Sequence, residues 1–166
     1  MSAVSRKVHG SAGTFDVTLP GVECRTGGAS GDHTLIFTFT NPLASVSGAA
    51  ISSGTGSVSS SAIGSDAHQY IVNLTGVANA QNVTVSLTNV TDMFGNTSAS
   101  VAATVGVLLG DTNADRFVNG GDSIQIRNRA GQATDGTNFR SDVNLDGFIN
   151  SGDTVIVRAR SGTSIP

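Results

Sequence analysis

The 166-residue sequence has no tryptophan and only one cysteine, one lysine and one tyrosine. A lone cysteine, Cys24, cannot form a disulfide within the chain, so we expect it to be a small side chain in a core. Charged residues make up 13% of the chain and the net charge is −3. Because no cluster of Lys and Arg is present, nucleic acid and anionic membrane surfaces are excluded as partners.

Groups that carry out catalysis are equally scarce. The histidines, His9, His33 and His68, stand singly, and an ordinary strand or turn role is predicted for each. The sequence contains no G-x-S-x-G elbow, no H-E-x-x-H helix and no phosphate-binding glycine loop. Without tryptophan a sugar-binding face would lack its best stacking platform, and the acidic residues before residue 110 are few and scattered. A non-catalytic protein is therefore predicted.

Long hydrophobic runs are also missing. None approaches the roughly 20 residues that a membrane-spanning helix needs, and the first residues lack the pattern of a signal peptide. The abundance of Gly, Ser and Thr suits a protein of strands and turns that works outside the cell. If the protein is secreted, its signal is expected upstream of Met1 or already removed.

What is present, up to about Leu109, is a series of short alternating or apolar runs between Gly, Ser, Asn and Asp clusters. Val83, Val85 and Leu87 fall on one face of such a run, and Asn89 would continue it. The clear runs cover residues 13–20, 33–40, 68–74, 81–90 and 100–109, and the weaker ones residues 4–8, 45–51 and 58–63. An immunoglobulin-like antiparallel β-sandwich of about seven or eight strands is predicted for residues 1–109.

One turn adds a resemblance to this prediction. The stretch LTNVTDMFGNTSA, residues 87–99, resembles the V-x-D-x-x-G-N corner of bacterial immunoglobulin-like domains of surface proteins. In that corner an Asp-containing turn ends a strand, and Gly95 and Asn96 are expected to supply positive φ angles. The resemblance is consistent with the sandwich.

After Leu109 the sequence repeats itself, because residues 110–131 align with residues 141–162. Each copy places Asp or Asn at the first, third, fifth, ninth and twelfth positions of a twelve-residue loop. These residues are Asp111, Asn113, Asp115, Asn119 and Asp122 in the first copy and Asp142, Asn144, Asp146, Asn150 and Asp153 in the second. Phe117 and Phe148 occupy the seventh position, where only a backbone carbonyl is needed.

Ca²⁺ binding explains this spacing. A hard cation takes six to eight oxygen ligands, and alternate residues of a tight loop can turn carboxylate and amide oxygens inward together. Two full copies with the same internal spacing argue against a solvated turn as the origin of the pattern, so two Ca²⁺ sites are predicted. The apolar residues at the eighth position, Val118 and Ile149, are expected to pair across a pseudo-twofold axis and join the loops into one small core.

The tandem repeat resembles a type I dockerin module, whose calcium loops also end in Asp. The resemblance covers the chain from Gly110 to about Ile165 and implies a small α module, residues 110–166, with two EF-hand-like loops. It also implies an origin in secreted microbial proteins and docking onto a cohesin domain. The short helices that follow the loops are expected to end at Gly131 and Gly162.

Two departures from the family pattern affect these expectations. Arg116 stands where Gly147 stands in the second copy, and a non-Gly residue at positive φ costs on the order of 1 kcal/mol, so the first site is predicted to be the weaker. Positions that in the family often carry cohesin-selecting Ser or Thr hold Gly120-Gly121 and Ser151-Gly152.

The repeated arginines of the helices have two interpretations. Solvation or pairing within the chain is favoured over a docking surface, because exposed charge on a short helix is ordinary. The residues concerned are Arg127, Arg129, Arg158 and Arg160.

The sequence thus predicts a mainly β, non-catalytic, extracellular or cell-surface protein that binds calcium and mediates docking, attachment or assembly. Its partner would be a cohesin-like domain or another copy of itself. Two alternatives stay open: a subunit of a self-assembling extracellular fibre, and the C-terminal anchoring region of a larger secreted enzyme. Since no Pro/Ser-rich linker separates the two parts, the module is expected to pack against the sandwich.

Overall fold

The computed structural model describes residues 1–166 and shows a mainly β chain that ends in two short helices. The strands are β1 Ser2–His9, β2 Gly13–Leu19, β3 Gly21–Glu23, β4 His33–Thr38, β5 Leu43–Ser45, β6 Gly48–Ser53, β7 Ser57–Ile63, β8 Gln69–Thr75, β9 Gln81–Asp92 and β10 Thr97–Val107. The helices are α1 Gly120–Arg129 and α2 Ser151–Arg160. None of the helices is long and apolar enough to cross a membrane.

The strands form two sheets. One has the order β2-β1-β4-β8-β7, and the other has the order β3-β10-β9-β5, with β6 also paired to β9. All pairs are antiparallel except β3 with β10. The order β1-β4-β8-β7 is that of strands A, B, E and D in an immunoglobulin-like sandwich, and β6-β9-β10 is that of C, F and G. The predicted fold class, mainly β with antiparallel sheets and a small helical part at the C-terminus, is therefore confirmed, and the strand order is consistent with the immunoglobulin-like sandwich.

Side chains from both sheets meet in one hydrophobic core. Leu35, Phe37 and Val72 come from the first sheet and pack with residues of β9 and β10. The alternation predicted along β9 is confirmed for Val83, Val85 and Leu87, which are fully buried. It is wrong for Asn89, which has a φ of +48°. This left-handed residue interrupts the alternation, so the following residue points into the core instead.

Several strand predictions need correction. The segment 45–51 is divided between β5 and β6, and the three-residue β3 was not predicted, because strands this short show no periodicity. The serine-rich segment predicted at 58–63 does form a strand, β7, which lies at a sheet edge. There Ser59 Oγ donates to the Asn73 carbonyl over 3.1 Å. In the 87–99 corner, Gly95 has a φ of +83°, but Asn96 has no positive φ.

The helices begin two residues before the Asp that closes each calcium-type loop. Asn119 and Asn150 are the N-caps, and in each helix the closing Asp completes a capping box. The last helical residues, Arg129 and Arg160, lie two positions before the predicted glycines. Gly131 and Gly162 follow with φ angles of +88° and +91°, so their role as C-terminal glycines is as expected.

A second core joins the repeats to each other and to the sandwich. Val118 and Ile149 lie in it as predicted, and Val22 and Leu108 from the sandwich contribute to it. The eighth residues thus share one core, as expected, but their backbones are not paired with each other. Instead, each loop pairs with the segment that follows the other helix, through the bridges Phe117 to Ser164 and Phe148 to Ala133.

The expected packing of the module on the sandwich is confirmed by hydrogen bonds. The Gly110 amide donates to the Cys24 carbonyl over 2.9 Å, and the Thr26 amide donates to the Val143 carbonyl over 2.8 Å. Cys24 is buried, as predicted. These contacts place both loops close to the β1 to β3 side of the sandwich.

Candidate calcium-binding loops

In the first loop, Asp111 and Asp122 accept hydrogen bonds from the backbone of the loop itself. Asp111 Oδ1 accepts from the Asp115 amide at 3.1 Å, and Oδ2 accepts from the Arg116 amide at 3.0 Å. Asp122 Oδ1 accepts from Thr112 N at 2.8 Å, and Oδ2 accepts from Asn119 N at 2.9 Å. The loop is thereby wound around its own carboxylates.

The second loop repeats this arrangement. Asp142 accepts from Asp146 N at 3.2 Å and from Gly147 N at 2.9 Å. Asp153 accepts from Val143 N at 2.9 Å and, through its other oxygen, from Asn150 N at 2.9 Å. The repeat in the sequence is therefore also a repeat of hydrogen bonds.

The middle of each loop is likewise the same in both copies. The Asn113 side-chain amide donates to Asp115 Oδ2 over 2.9 Å, and the Asn144 amide donates to Asp146 Oδ2 over 2.9 Å. The rings of Phe117 and Phe148 point outward, with 58% and 56% of these residues exposed. Only their backbone is part of the loop interior, as expected from the seventh position.

Both loops turn through left-handed backbone. Arg116 has a φ of +72° and Gly147 has a φ of +93°, and the preceding Ala114 and Leu145 are also left-handed. The expected positive φ of Arg116 is therefore confirmed. Its guanidinium donates to the Pro166 carbonyl over 2.5 Å, which attaches the C-terminus to the first loop.

The oxygen atoms that the loops offer as ligands fit a hard cation. No three Asp, Glu, His or Cys side chains form a cluster of their own, and the loop carboxylates are hydrogen-bonded to amides as described. What each loop holds is a mixed set of carboxylate, side-chain amide and backbone oxygens on alternate residues. Such oxygen sets suit Ca²⁺ rather than a softer metal, because thiolate and imidazole are absent from the loop positions.

The first Asp of each loop differs between the copies. Asp142 also accepts from His9 Nδ1 at 2.8 Å and from Thr134 Oγ1 at 2.9 Å. Burial alone would raise the pKa of Asp142, but these bonds and that from Gly147 N outweigh it and lower the pKa below its ordinary value. Asp111 has backbone donors only, and burial raises its pKa.

His9 is held from its other side by the sandwich. Arg25 Nη1 lies 3.0 Å from His9 Nε2, and both residues are buried. Because a guanidinium can only donate, Nε2 must accept, so the proton is on Nδ1 and is donated to Asp142. Glu23 accepts from Arg25 at 2.7 Å through each oxygen. Burial would raise the pKa of Glu23, but Arg25 and Ser5 lower it to about 2.

Aromatic rings close this junction. Phe139, which lies between the repeats, stacks on Phe15 of β2 with ring centres 5.5 Å apart. The Arg25 guanidinium lies 5.1 Å from the centre of the Phe139 ring. His9 meets Phe15 edge to face at 5.2 Å. The side chains around the His9 and Asp142 contact therefore leave no room for solvent, and both are fully buried.

Sequence reasoning missed His9 and Arg140. His9 was expected to have an ordinary strand role, and Arg140 carried no motif. The Arg140 guanidinium donates to the backbone carbonyls of Val22, Asp111 and Thr112 over 2.7 to 3.0 Å. Neither role has a local signal, because the partners are far away in the chain. Of the helix arginines, Arg129 pairs within the chain, with Ser141 Oγ at 2.9 Å.

Comparison with known families agrees with the repeat. Residues 109–160 match the family model described as dockerin type I domain. The resemblance of the C-terminal third is thereby confirmed, and members of this family are non-catalytic modules that bind calcium and dock on cohesin domains. No curated protein and no solved structure matches the chain.

Proposed function

We propose that this chain is a non-catalytic, extracellular docking protein whose C-terminal module binds two Ca²⁺ ions and attaches to a cohesin-like domain. The proposed ligands are the loop side chains and the carbonyls of the seventh residues. They are Asp111, Asn113, Asp115, Phe117, Asn119 and Asp122 for one ion and Asp142, Asn144, Asp146, Phe148, Asn150 and Asp153 for the other.

The observation that carries the proposal is that the two loops make the same hydrogen bonds. In both, the first and last Asp accept from equivalent backbone amides, and in both the Asn at the ninth position caps the following helix. An incidental acidic turn would not reproduce these bonds twice. The match of residues 109–160 to the dockerin type I family also supports calcium binding by this part of the chain.

We assign the docking role to residues 110–166 and a carrier or spacer role to residues 1–109, which we take to be a bacterial immunoglobulin-like domain. Two glycines, Gly120 and Gly121, precede Asp122, so the first helix offers no hydroxyl at these positions for selecting a cohesin. Ser151 is the one hydroxyl at the equivalent place in the second copy. The partner would therefore be selected by a surface that differs from the usual one. The same role would serve a C-terminal region of a larger secreted enzyme.

Isothermal titration calorimetry tests the metal assignment. The chelator-treated protein should show two Ca²⁺-binding events, and Asp142→Ala with Asp146→Ala should remove the tighter one. The matched double variant, Asp111→Ala with Asp115→Ala, should remove the weaker one, because Arg116 is strained at a φ of +72°. Two tight events in the Asp142 and Asp146 variant would contradict the assignment.

A further inference from the structure

The contact between His9 and Asp142 joins the two parts of the chain at a proposed calcium ligand. Both side chains are fully buried, and their atoms are 2.8 Å apart although the residues lie at opposite ends of the chain. The equivalent Asp111 of the first loop receives no side-chain donor. The other side-chain donor to Asp142 is Thr134, and its equivalent for the first loop is Ile165, which has no hydroxyl. The Ile165 amide makes only the corresponding backbone bond, to the first loop, over 3.2 Å.

The β1 to β2 hairpin fits closely over the second loop. A Cβ atom built on Gly10 would lie 2.6 Å from the Asp146 carbonyl oxygen. A Cβ atom built on Gly147 would lie 3.1 Å from the His9 carbonyl oxygen. Gly147 is buried by this contact, whereas Arg116 at the same place in the first loop is exposed. The β1 to β2 hairpin thus fits the second loop, and not the first, both in shape and in hydrogen bonding.

His9 is itself fixed before it meets the loop. Arg25 donates to its Nε2, and Glu23 holds Arg25 with two bonds of 2.7 Å. The Nδ1 proton therefore points at Asp142 Oδ2. A donor fixed in this way holds one oxygen of the Asp142 carboxylate in place and thereby sets the orientation of that carboxylate.

We propose that His9 of the sandwich is a positioning residue for the second calcium loop, so that the sandwich forms part of this site but not of the first. The inference rests on the proposed function. Outer partners that orient a metal-binding side chain commonly raise metal affinity, because less ordering remains to be done when the ion binds. By linkage, Ca²⁺ in the second loop should also stabilise the β1 to β2 hairpin.

Single-loop proteins of full length allow a direct test. Asp115→Ala leaves the second loop to be titrated alone, and Asp146→Ala leaves the first. In the Asp115→Ala background, His9→Leu should weaken Ca²⁺ binding about 10- to 100-fold, and in the Asp146→Ala background it should change binding less than about twofold. His9→Asn, which can keep a donor near the Nδ1 position, should restore part of the affinity. Val8→Ala, at an exposed neighbour, should change neither.

Equal weakening of both loops by His9→Leu, or no weakening of the second, would overturn the inference. If neither single-loop protein binds Ca²⁺, the proposed function itself is wrong, so the two failures are distinguishable. A measurement that leaves His9 intact covers the case in which the Leu variant does not fold. Amide hydrogen exchange in the hairpin should slow on adding Ca²⁺ to Asp115→Ala but not to Asp146→Ala, and equal protection in both would contradict the proposal.

Discussion

The loop that begins at Asp111 and the loop that begins at Asp142 are wound in the same way, yet they contact the sandwich through different atoms. The first is linked to the sandwich through main-chain atoms only, since Arg140, which lies between the repeats, binds the carbonyls of Asp111 and Thr112 and also that of Val22 in the sandwich. The second is attached through its main chain, where the Val143 carbonyl accepts from the Thr26 amide, and in addition through the side chain of its first Asp, which meets His9. The hydrogen bonds within each repeat are therefore the same in both copies, whereas the contacts that each repeat makes with the sandwich differ.

This difference has a physical origin. Hydrogen bonds inside a loop depend on residues a few positions apart, so two copies of one sequence form them twice. Contacts to a neighbouring domain cannot be made twice, because one sandwich faces a pseudo-symmetric pair of loops from a single side. The two sites are therefore expected to differ in affinity even though their ligands are the same.

The largest effect should come from Glu23, which supports the attachment of the second loop through Arg25 and His9. Glu23→Gln should lower the free energy of unfolding by about 3 to 5 kcal/mol, because it leaves the buried Arg25 without its counter-ion. The pKa of Glu23 is lowered from 4.5 to about 2. Its contribution is thus present above pH 4.5 and is lost as the pH falls through about 2.

Denaturant unfolding in chelator, measured between pH 7 and pH 2, checks this prediction. Other carboxylates also titrate in this range, so the comparison is between slopes. Stability should fall less steeply with acid in the Gln variant than in the unchanged protein. Identical slopes would show that the Glu23 and Arg25 pair contributes nothing to acid stability.

A smaller effect is expected where the first loop is attached. Arg140→Met should lower the free energy of unfolding by about 2 to 3 kcal/mol, since three backbone carbonyls lose a charged donor. Arg158→Met, at an exposed position of α2, is the matched control and should be neutral within about 0.5 kcal/mol. Urea unfolding of both variants gives the comparison. A loss no larger than that of the control would mean that water replaces the guanidinium at these carbonyls.

The smallest effects should distinguish the turns of the two loops. Gly147→Ala should cost about 1 to 2 kcal/mol, because the residue is left-handed and its Cβ would press on the His9 carbonyl. Arg116→Gly should gain at most about 1 kcal/mol, offset by the lost bond to Pro166. Thermal unfolding measures both. A Gly147→Ala variant as stable as the unchanged protein would contradict the close fit of hairpin and loop.

Much of the fold was accessible from the sequence because its signals are local. The alternation of Val83, Val85 and Leu87 identified β9, and the turn glycines bounded the other long strands. The failures occurred where local signals are weak or misleading. The three residues of β3 cannot show a period, and the left-handed Asn89 breaks the period that it was expected to continue.

For the candidate site, the spacing of Asp and Asn along the repeat located every proposed ligand. A calcium loop is a local structure, so its ligands come from residues that are close together in the sequence. The sequence also determined the strain at Arg116, the helix caps and the absence of catalytic motifs. None of these depends on what lies on the other side of the molecule.

Only the tertiary structure decided that the loops are unequal in their surroundings. His9 and Asp142 are separated by 133 positions, and nothing near either residue in the sequence indicates the other. The choice of which loop lies under the β1 to β2 hairpin depends on the packing of Phe15 on Phe139 and on the small size of Gly10 and Gly147. Such long-range contacts follow from the packing of the whole chain, whereas ligand spacing follows from the loop alone.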